Sequence, residues 1–582
     1  MARVAQARRS GAPTGQRAHA WLSPSWAQIG MVVLIGAFAF YLVYPLALIL
    51  INSFNVARIG QPPVYGIGAW VDAWGTPGLF QALGNTIAVA FWYQVLSFPL
   101  GVVLAWILGR TNLPWARGFE FLFWLSFFLP ALSTTLGWIL ILDPRQGLLN
   151  QVTAHLFGLQ AGPFNIYSFW GIIWVHLVSH AVSSKVMLLT PAFRNMDAAL
   201  EEASRMAGAS TWSTFLRVTL PVLTPPLVIV FMLAFLRLFE SFEIELLLGT
   251  PINFFVYSTK IVQLVRQEPP LVGQATALGS VTLLLLVVGV PIQRWLTTRR
   301  SFTTVTGRMK PALIDLGRWR WPMFALVALI VALLVVVPIF SVVAGSFMTR
   351  FGFFAIAQPW TIANWQRTLG STAFLRSLGN TLVIAGSAAV AGPLLFALVG
   401  YVVVRAKGVW GRGLLDAILW VPSVIPGALA GLGLLWMFLG TPLFTPLYGT
   451  IFVLIIASVM GSVTLSTQIM KSAFLQLGPE LEEGSRMSGA GWLGTYVRIV
   501  VPLIAPTLIL VATLKFMFTA NATSSVVMLA TSETRPLSLL ILDMVAAGQR
   551  EAATVVTVII TGLTLGVAML ARSLGLNLGV RT

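Results

Sequence analysis

Two short acidic segments hold the densest chemistry in this chain. Leu200-Glu201-Glu202-Ala203-Ser204-Arg205-Met206-Ala207-Gly208-Ala209 returns as Leu481-Glu482-Glu483-Gly484-Ser485-Arg486-Met487-Ser488-Gly489-Ala490. Arg217, Pro221 and Pro225 recur in the same ungapped register as Arg498, Pro502 and Pro506. Carboxylates near the start of a helix complement its positive end, and a glycine past the last turn supplies the left-handed residue that stops it. Asp197 can cap the first copy, and Pro479 can take the first helical position of the second. Each segment therefore predicts a short helix with exposed carboxylates ending in a glycine elbow. A duplicated polar surface in an apolar chain implies a partner, and two copies imply a two-fold partner.

Other reactive side chains lie inside apolar runs, where a charge is costly unless paired or wet. Arg237 and Glu240 are three apart within Leu236–Leu246, with Glu243 following, and can share a face. Lys515 gives the second half a cation at roughly the depth of Arg237 and leads into the polar run Thr519–Ser525, which includes Asn521. These five residues read as paired structural charges or as a hydrated pore lining, with direct contact to a solute as a third reading. His176 and His180 are four apart, a spacing that can hold a metal. The position matching His176 in the second copy is Ala457, so a polar seam between helices is the better reading and no metal site is assigned. The four histidines, at 19, 155, 176 and 180, form no convergent catalytic set. Cysteine is absent, as is any Gly-x-x-x-x-Gly-Lys-Ser/Thr phosphate loop.

The elements that position these residues are membrane helices. The chain has 582 residues, 57% hydrophobic and 9% charged, against roughly 25% charged in soluble domains. About 20 apolar residues cross a bilayer. The hydropathy pattern predicts an all-α integral membrane protein with twelve spans, near 30–51, 84–108, 119–142, 167–190, 222–248, 275–296, 322–346, 378–404, 414–439, 450–470, 502–527 and 552–574. Segments on one side of these spans hold 24 of the 36 Lys and Arg, and those on the other hold 9. The excess predicts both termini in the cytoplasm and accounts for the net charge of +18 without nucleic acid. The basic start resembles a secretory signal, but the apolar stretch behind it is too long, so an uncleaved first span is expected.

The duplication extends beyond the elbows. Leu83-Gly84-Asn85-Thr86 returns as Leu378-Gly379-Asn380-Thr381, and Trp124 and Pro130 match Trp420 and Pro426. These early pairs are spaced slightly wider than the elbows. The difference is accounted for by an outer loop that runs 143–166 in one half and only 440–449 in the other. The reading is two parallel six-helix repeats: a cytoplasmic tail over 1–29, a first repeat over 30–296, a basic linker over 297–321 and a second repeat over 322–582. The linker gathers Arg299, Arg300, Arg308, Lys310, Arg318 and Arg320 and is suited to anionic lipid.

The Glu-Glu-Ala/Gly-Ser-Arg-Met-x-Gly-Ala…Pro…Pro pattern resembles the signature loop of permease subunits of bacterial ABC importers that depend on a binding protein. The resemblance spans essentially the whole chain, as two such subunits of the type I kind fused in one polypeptide. It implies that Glu201, Glu202, Ala203, Gly208, Glu482, Glu483, Gly484 and Gly489 are ATPase-docking positions on coupling helices. It implies two cytoplasmic ABC ATPase subunits that bind ATP and Mg, an extracytoplasmic solute-binding protein, and no cofactor or hydrolytic activity in this chain. One copy of the chain is then expected per transporter, in the bacterial inner membrane. Gly484 departs from the Ala common in the family and puts the equality of the two docking sites in doubt. The stretch Ser241–Pro251, with Tyr257-Ser258-Thr259-Lys260 and Glu268-Pro269-Pro270, is similar to fused permeases of ferric-iron importers. Those relatives shade into permeases for thiamine, polyamines and phosphonates, so iron or an iron complex is the expected solute with those as alternatives. An ion-coupled secondary transporter would share the twelve spans but not the docking loops, and a membrane-embedded enzyme would need a catalytic set.

Overall fold

The computed structural model describes residues 24–57, 61–236, 242–298, 313–406 and 408–573. The described residues are helical, with three isolated β-bridges and no longer strands. Among the described residues seven helices are long and apolar enough to cross a membrane, and the number reaches eleven if each of four bent pairs is one span. The sixth expected span lies on the helix Val272–Thr298, which is not among those eleven.

In the first half the main elements are α1 (Pro24–Leu42), α2 (Tyr44–Asn52), α3 (Leu79–Arg110), α4 (Ala116–Phe128), α5 (Ala131–Leu142), α6 (Phe169–His176), α7 (Val182–Arg194), α8 (Ala199–Met206), α9 (Thr224–Leu236) and α10 (Val272–Thr298). The second half continues with α11 (Arg320–Val331), α12 (Val337–Ser346), α13 (Thr372–Arg405), α14 (Arg412–Trp420), α15 (Gly427–Gly440), α16 (Ile451–Gly461), α17 (Val463–Gln476), α18 (Glu480–Met487), α19 (Val501–Ala520) and α20 (Arg550–Ser573).

Several expected spans are broken. The third divides into α4 and α5, which meet at 97°, and the ninth bends by 112° between Ser423 and Gly427. Pro130 and Pro426 stand at these corners, where a missing N–H and a ring clash end a helix. The fifth expected span is not one helix over 222–248: the chain bends by 70° just before α9, and Phe242 is non-helical where Glu243–Gly249 begins as a separate helix. The eleventh ends at Ala520 rather than 527, and the backbone N–H of Asn521 caps it by donating to Met517 O at 3.2 Å. Polar side chains competing for the backbone favour turns at such a point.

The halves interlock at two symmetrical crossings. Helix α2 packs on α15 and α5 packs on α12. A Cβ on Gly137 would stand 2.7 Å from Pro338 O, and one on Gly433 would stand 2.9 Å from Pro45 O. Small residues admit such backbone contact between membrane helices. Across the same seam Ser133 and Thr561 share a hydrogen bond of 2.7 Å, and Trp436 Nε1 donates to Thr276 Oγ1 at 3.0 Å.

The repeated Leu-Gly-Asn-Thr segments act at the opposite end of the bundle from the elbows. Asn85 Nδ2 donates to Phe255 O at 2.9 Å, and Asn380 Nδ2 donates to Glu533 O at 2.8 Å. The Thr86 hydroxyl accepts the Tyr257 N–H and that of Thr381 accepts the Leu537 N–H, both at 2.8 Å. Each pair pins a returning chain segment to the start of α3 or α13.

Candidate functional site

Both elbows are built alike. Helix α8 carries Glu201 and Glu202 in its first turn, and α18 carries Glu480, Glu482 and Glu483. Gly208 and Gly489 adopt φ of +88° and +84°, a conformation that costs other residues. Ala209 N–H then reaches back to Ser204 O at 3.1 Å, and Ala490 N–H to Ser485 O at 3.2 Å. A short helix follows in each half, stapled to the first by Ser204–Thr214 at 3.0 Å and Ser485–Thr495 at 2.9 Å. A π-helical turn comes next in both, Phe215–Thr219 and Tyr496–Val500.

The four central glutamates divide into two kinds. Glu202 and Glu483 are exposed, with Ala203, Gly484, Gly208 and Gly489. Glu201 and Glu482 are not exposed as expected: they are only 3% and 2% accessible. Adjacent helical residues point about 100° apart, so one acid of each pair faces outward and the other faces the bundle. On the outer side Met206 and Met487 are each 89% accessible, beside exposed Leu200 and Leu481.

Each buried glutamate meets an arginine absent from the sequence reading. Arg110, at the end of α3, donates from Nε and Nη2 to Glu201 Oε2, the Nε contact at 3.1 Å. Arg405, at the end of α13, donates from Nε to Glu482 Oε1 at 2.8 Å. The two arginines repeat at the same offset as the Leu-Gly-Asn-Thr pair, and that spacing was the available signal.

Beside Arg110 the chain that enters the second half is held in place. Ile314 N–H donates to Arg110 O at 2.7 Å, and Asn112 N–H donates to Ile314 O at 3.1 Å. The Asn112 side chain adds donation to Asp315 Oδ1 at 2.6 Å and accepts Leu316 N–H at 3.0 Å. The Gly317 N–H and the Asn112 amide hold the Asp315 carboxyl below its usual range.

The described intramembrane residues lie on different elements. Arg237 and Glu240 lie outside the described residues, and Glu243 opens the helix Glu243–Gly249. Lys515, 3% accessible, donates to Ser458 O and Ser462 Oγ at the break between α16 and α17. Its side chain passes Gly392, where a Cβ would lie 3.7 Å away. In the first half the matching place is the π-helical turn Leu177–Ala181, and there Lys185, 2% accessible, donates to Ala181 O at 3.0 Å. An ammonium thus meets the irregular part of the fourth span in both halves, delivered from different helices. The Asn521 side-chain oxygen is buried without a partner among the described residues. His176 pairs with Glu245 at 2.7 Å and stacks on Tyr93, whereas His180 pairs with Ser179 at 2.7 Å.

Residues 97–302 and 396–577 each match the family described as the binding-protein-dependent transport system inner membrane component. The chain belongs to this family. The family occurs in it twice, once per half, and each match contains one elbow. The chain is accordingly a fused, multi-pass inner-membrane permease of the ABC importer type, and its family's role is transport rather than catalysis. It is 26% identical over 528 residues to the ferric transport system permease protein FbpB of Actinobacillus pleuropneumoniae, covering 88% of this chain and 72% of that protein. It is 27% identical over 478 residues to the putative ferric transport system permease protein FbpB 1 of Haemophilus influenzae, covering 78% and 71%. A shorter match, 25% identical over 224 residues, is to the molybdenum transport system permease protein ModB of Haemophilus influenzae, covering 38% of this chain and 93% of that protein.

Proposed function

We propose that the two elbows dock into two cytoplasmic ABC ATPase subunits, and that this chain forms the pathway for a solute handed over by an extracytoplasmic binding protein. The observation that carries this reading is the pair Met206 and Met487, each 89% accessible and placed at matching positions of helices that are each held by an arginine. A flexible thioether projecting into solvent is a ready contact for an apolar cleft. Exposed Glu202 and Glu483 beside them add a charged rim for orientation. ATP and Mg belong to the partner subunits. Their closure on ATP draws the elbows together and switches the pathway from inward- to outward-facing. Both termini and the linker over 297–321 lie in the cytoplasm in this arrangement, and one copy of the chain supplies both halves of the transporter.

The favoured solute is ferric iron or an iron complex, on the strength of the two long matches named as ferric permeases. The other small solutes remain alternatives, and the molybdenum permease match shows how widely the family ranges. The docking experiment is co-purification with the ABC ATPase subunits of the same organism. Wild type should retain it and the Met206→Glu, Met487→Glu double variant should lose it; equal retention would refute the docking surface. For the solute, the extracytoplasmic binding protein that docks on this chain should carry iron when isolated, and another bound solute would replace iron in this reading.

A further inference from the structure

The buried face of each elbow is joined to the second long helix of its own half through one guanidinium. Arg110 bridges Glu201 of α8 and, from Nη1 at 3.1 Å, the carbonyl of Met196 just beyond α7. Arg405 bridges Glu482 of α18 and, from Nη2 at 2.8 Å, the carbonyl of Leu477 just beyond α17. Met196 and Leu477 themselves occupy matching positions in the register of the elbows. In both halves, then, three elements meet at one arginine: the end of the second span, the end of the fourth span, and the start of the elbow helix.

The remaining ligand of each glutamate comes from a different place in the two halves. Thr219, beyond the elbow, donates to Glu201 Oε1 at 2.7 Å. Tyr401, one turn earlier on α13 than Arg405, donates to Glu482 Oε2 at 2.6 Å. The position matching Thr219 is Val500, and the position matching Tyr401 is Trp106. The hydroxyl has moved from one element to another while the satisfied carboxylate and its arginine stay the same. A contact rebuilt from another element is more than a by-product of duplication. A buried ion pair is a weak source of stability because desolvation offsets its attraction. Its planar, multiply bonded arginine is instead a strong source of fixed orientation.

We propose that Arg110 and Arg405 are positioning residues that make each elbow and the second span of its half one rigid lever. Helices α3 and α13, of 32 and 34 residues, reach from the elbows to the opposite end of the bundle. A push on an elbow is thereby delivered along the whole helix instead of being absorbed where the two meet. This inference rests on the docking reading above.

The chain contains no cysteine, so spin labels go only where they are introduced. The experiment uses the full chain bound to its ATPase subunits in lipid nanodiscs, labelled at Ala406→Cys and Ser488→Cys, without nucleotide and trapped with ATP and vanadate. In the otherwise wild-type chain the label separation should change by no more than about 2 Å, the scale of small helix shifts. With Arg405→Gln added, it should shift further between the two states and spread more widely. A nucleotide-dependent shift beyond about 2 Å without Arg405→Gln, or an unmoved separation with it, overturns the proposal. If the Arg405→Gln chain does not assemble, the wild-type arm decides alone. A wild-type chain that captures no ATPase removes the docking reading and the lever together, and is seen before any label is attached.

Discussion

Gly137 and Pro338 touch backbone to backbone across the seam between the two halves, and Gly433 and Pro45 repeat the contact on the other side. No room exists for a methyl group at either glycine, because a Cβ would sit within 3.0 Å of a proline carbonyl. Gly137→Ala and Gly433→Ala should each lower stability by about 1–3 kcal/mol, the usual cost of overpacking. Thermal unfolding in detergent measures this. Gly392→Ala is the control, since its nearest neighbours leave ordinary contact distances of 3.6 Å or more. Equal stability of all three variants would contradict the interlocked crossing.

Thr86 and Thr381 accept buried backbone N–H groups from Tyr257 and Leu537. Replacing either with valine keeps the shape and strands a donor, at about 1–3 kcal/mol. The two losses should add in the double variant, because the sites share no partner. The same unfolding assay applies, and a loss in the double variant no larger than in either single one would show that the segments do not act separately.

Gly208→Asp and Gly489→Asp should leave membrane insertion intact while disrupting transport. Nothing lies within 4 Å of a Cβ at either position, so the strain comes from the positive φ alone and is about 1–2 kcal/mol. That is small for a chain of this size but falls wholly on the elbow's shape. ATP hydrolysis in reconstituted complexes is the readout, and stimulation unchanged in both variants would count against the docking role.

The strap at Asn112 is open to amide exchange. Asn112→Ala removes the acceptor for Leu316 N–H but leaves the Ile314 N–H bond to Arg110 O. Exchange at Leu316 should quicken by about fivefold, corresponding to roughly 1 kcal/mol, with Ile314 less affected. The pH dependence follows from Asp315, whose carboxyl is held below its ordinary 3.8. A lowered value means the contribution is fully present above that ordinary value and disappears as the pH falls through the folded one. Exchange differences between wild type and Asp315→Asn should therefore be constant from neutral pH to about pH 5 and shrink only in stronger acid. A change centred near neutrality would assign the titration to another group.

Much of this molecule was legible because duplication and hydropathy are one-dimensional signals. The two elbows and their glycine stops repeat in register, and local chemistry alone dictates a left-handed glycine. Pro130 and Pro426 were legible as a repeat but not as corners, since the third and ninth spans read as unbroken apolar runs. The break points of the fifth and eleventh spans were not legible, because apolar content does not report where a backbone turns within a bundle.

By itself, the sequence determined the membrane-spanning character, the two-fold organisation and the place of each elbow, since these depend on composition and spacing. Only the tertiary structure decided which glutamate of each pair turns inward, that Arg110 and Arg405 receive them, and that the halves cross at Gly137 and Gly433. Those outcomes depend on which distant segments meet. Arg110 and Glu201 are 91 residues apart, and their pairing becomes visible only when the end of α3 is brought to the first turn of α8.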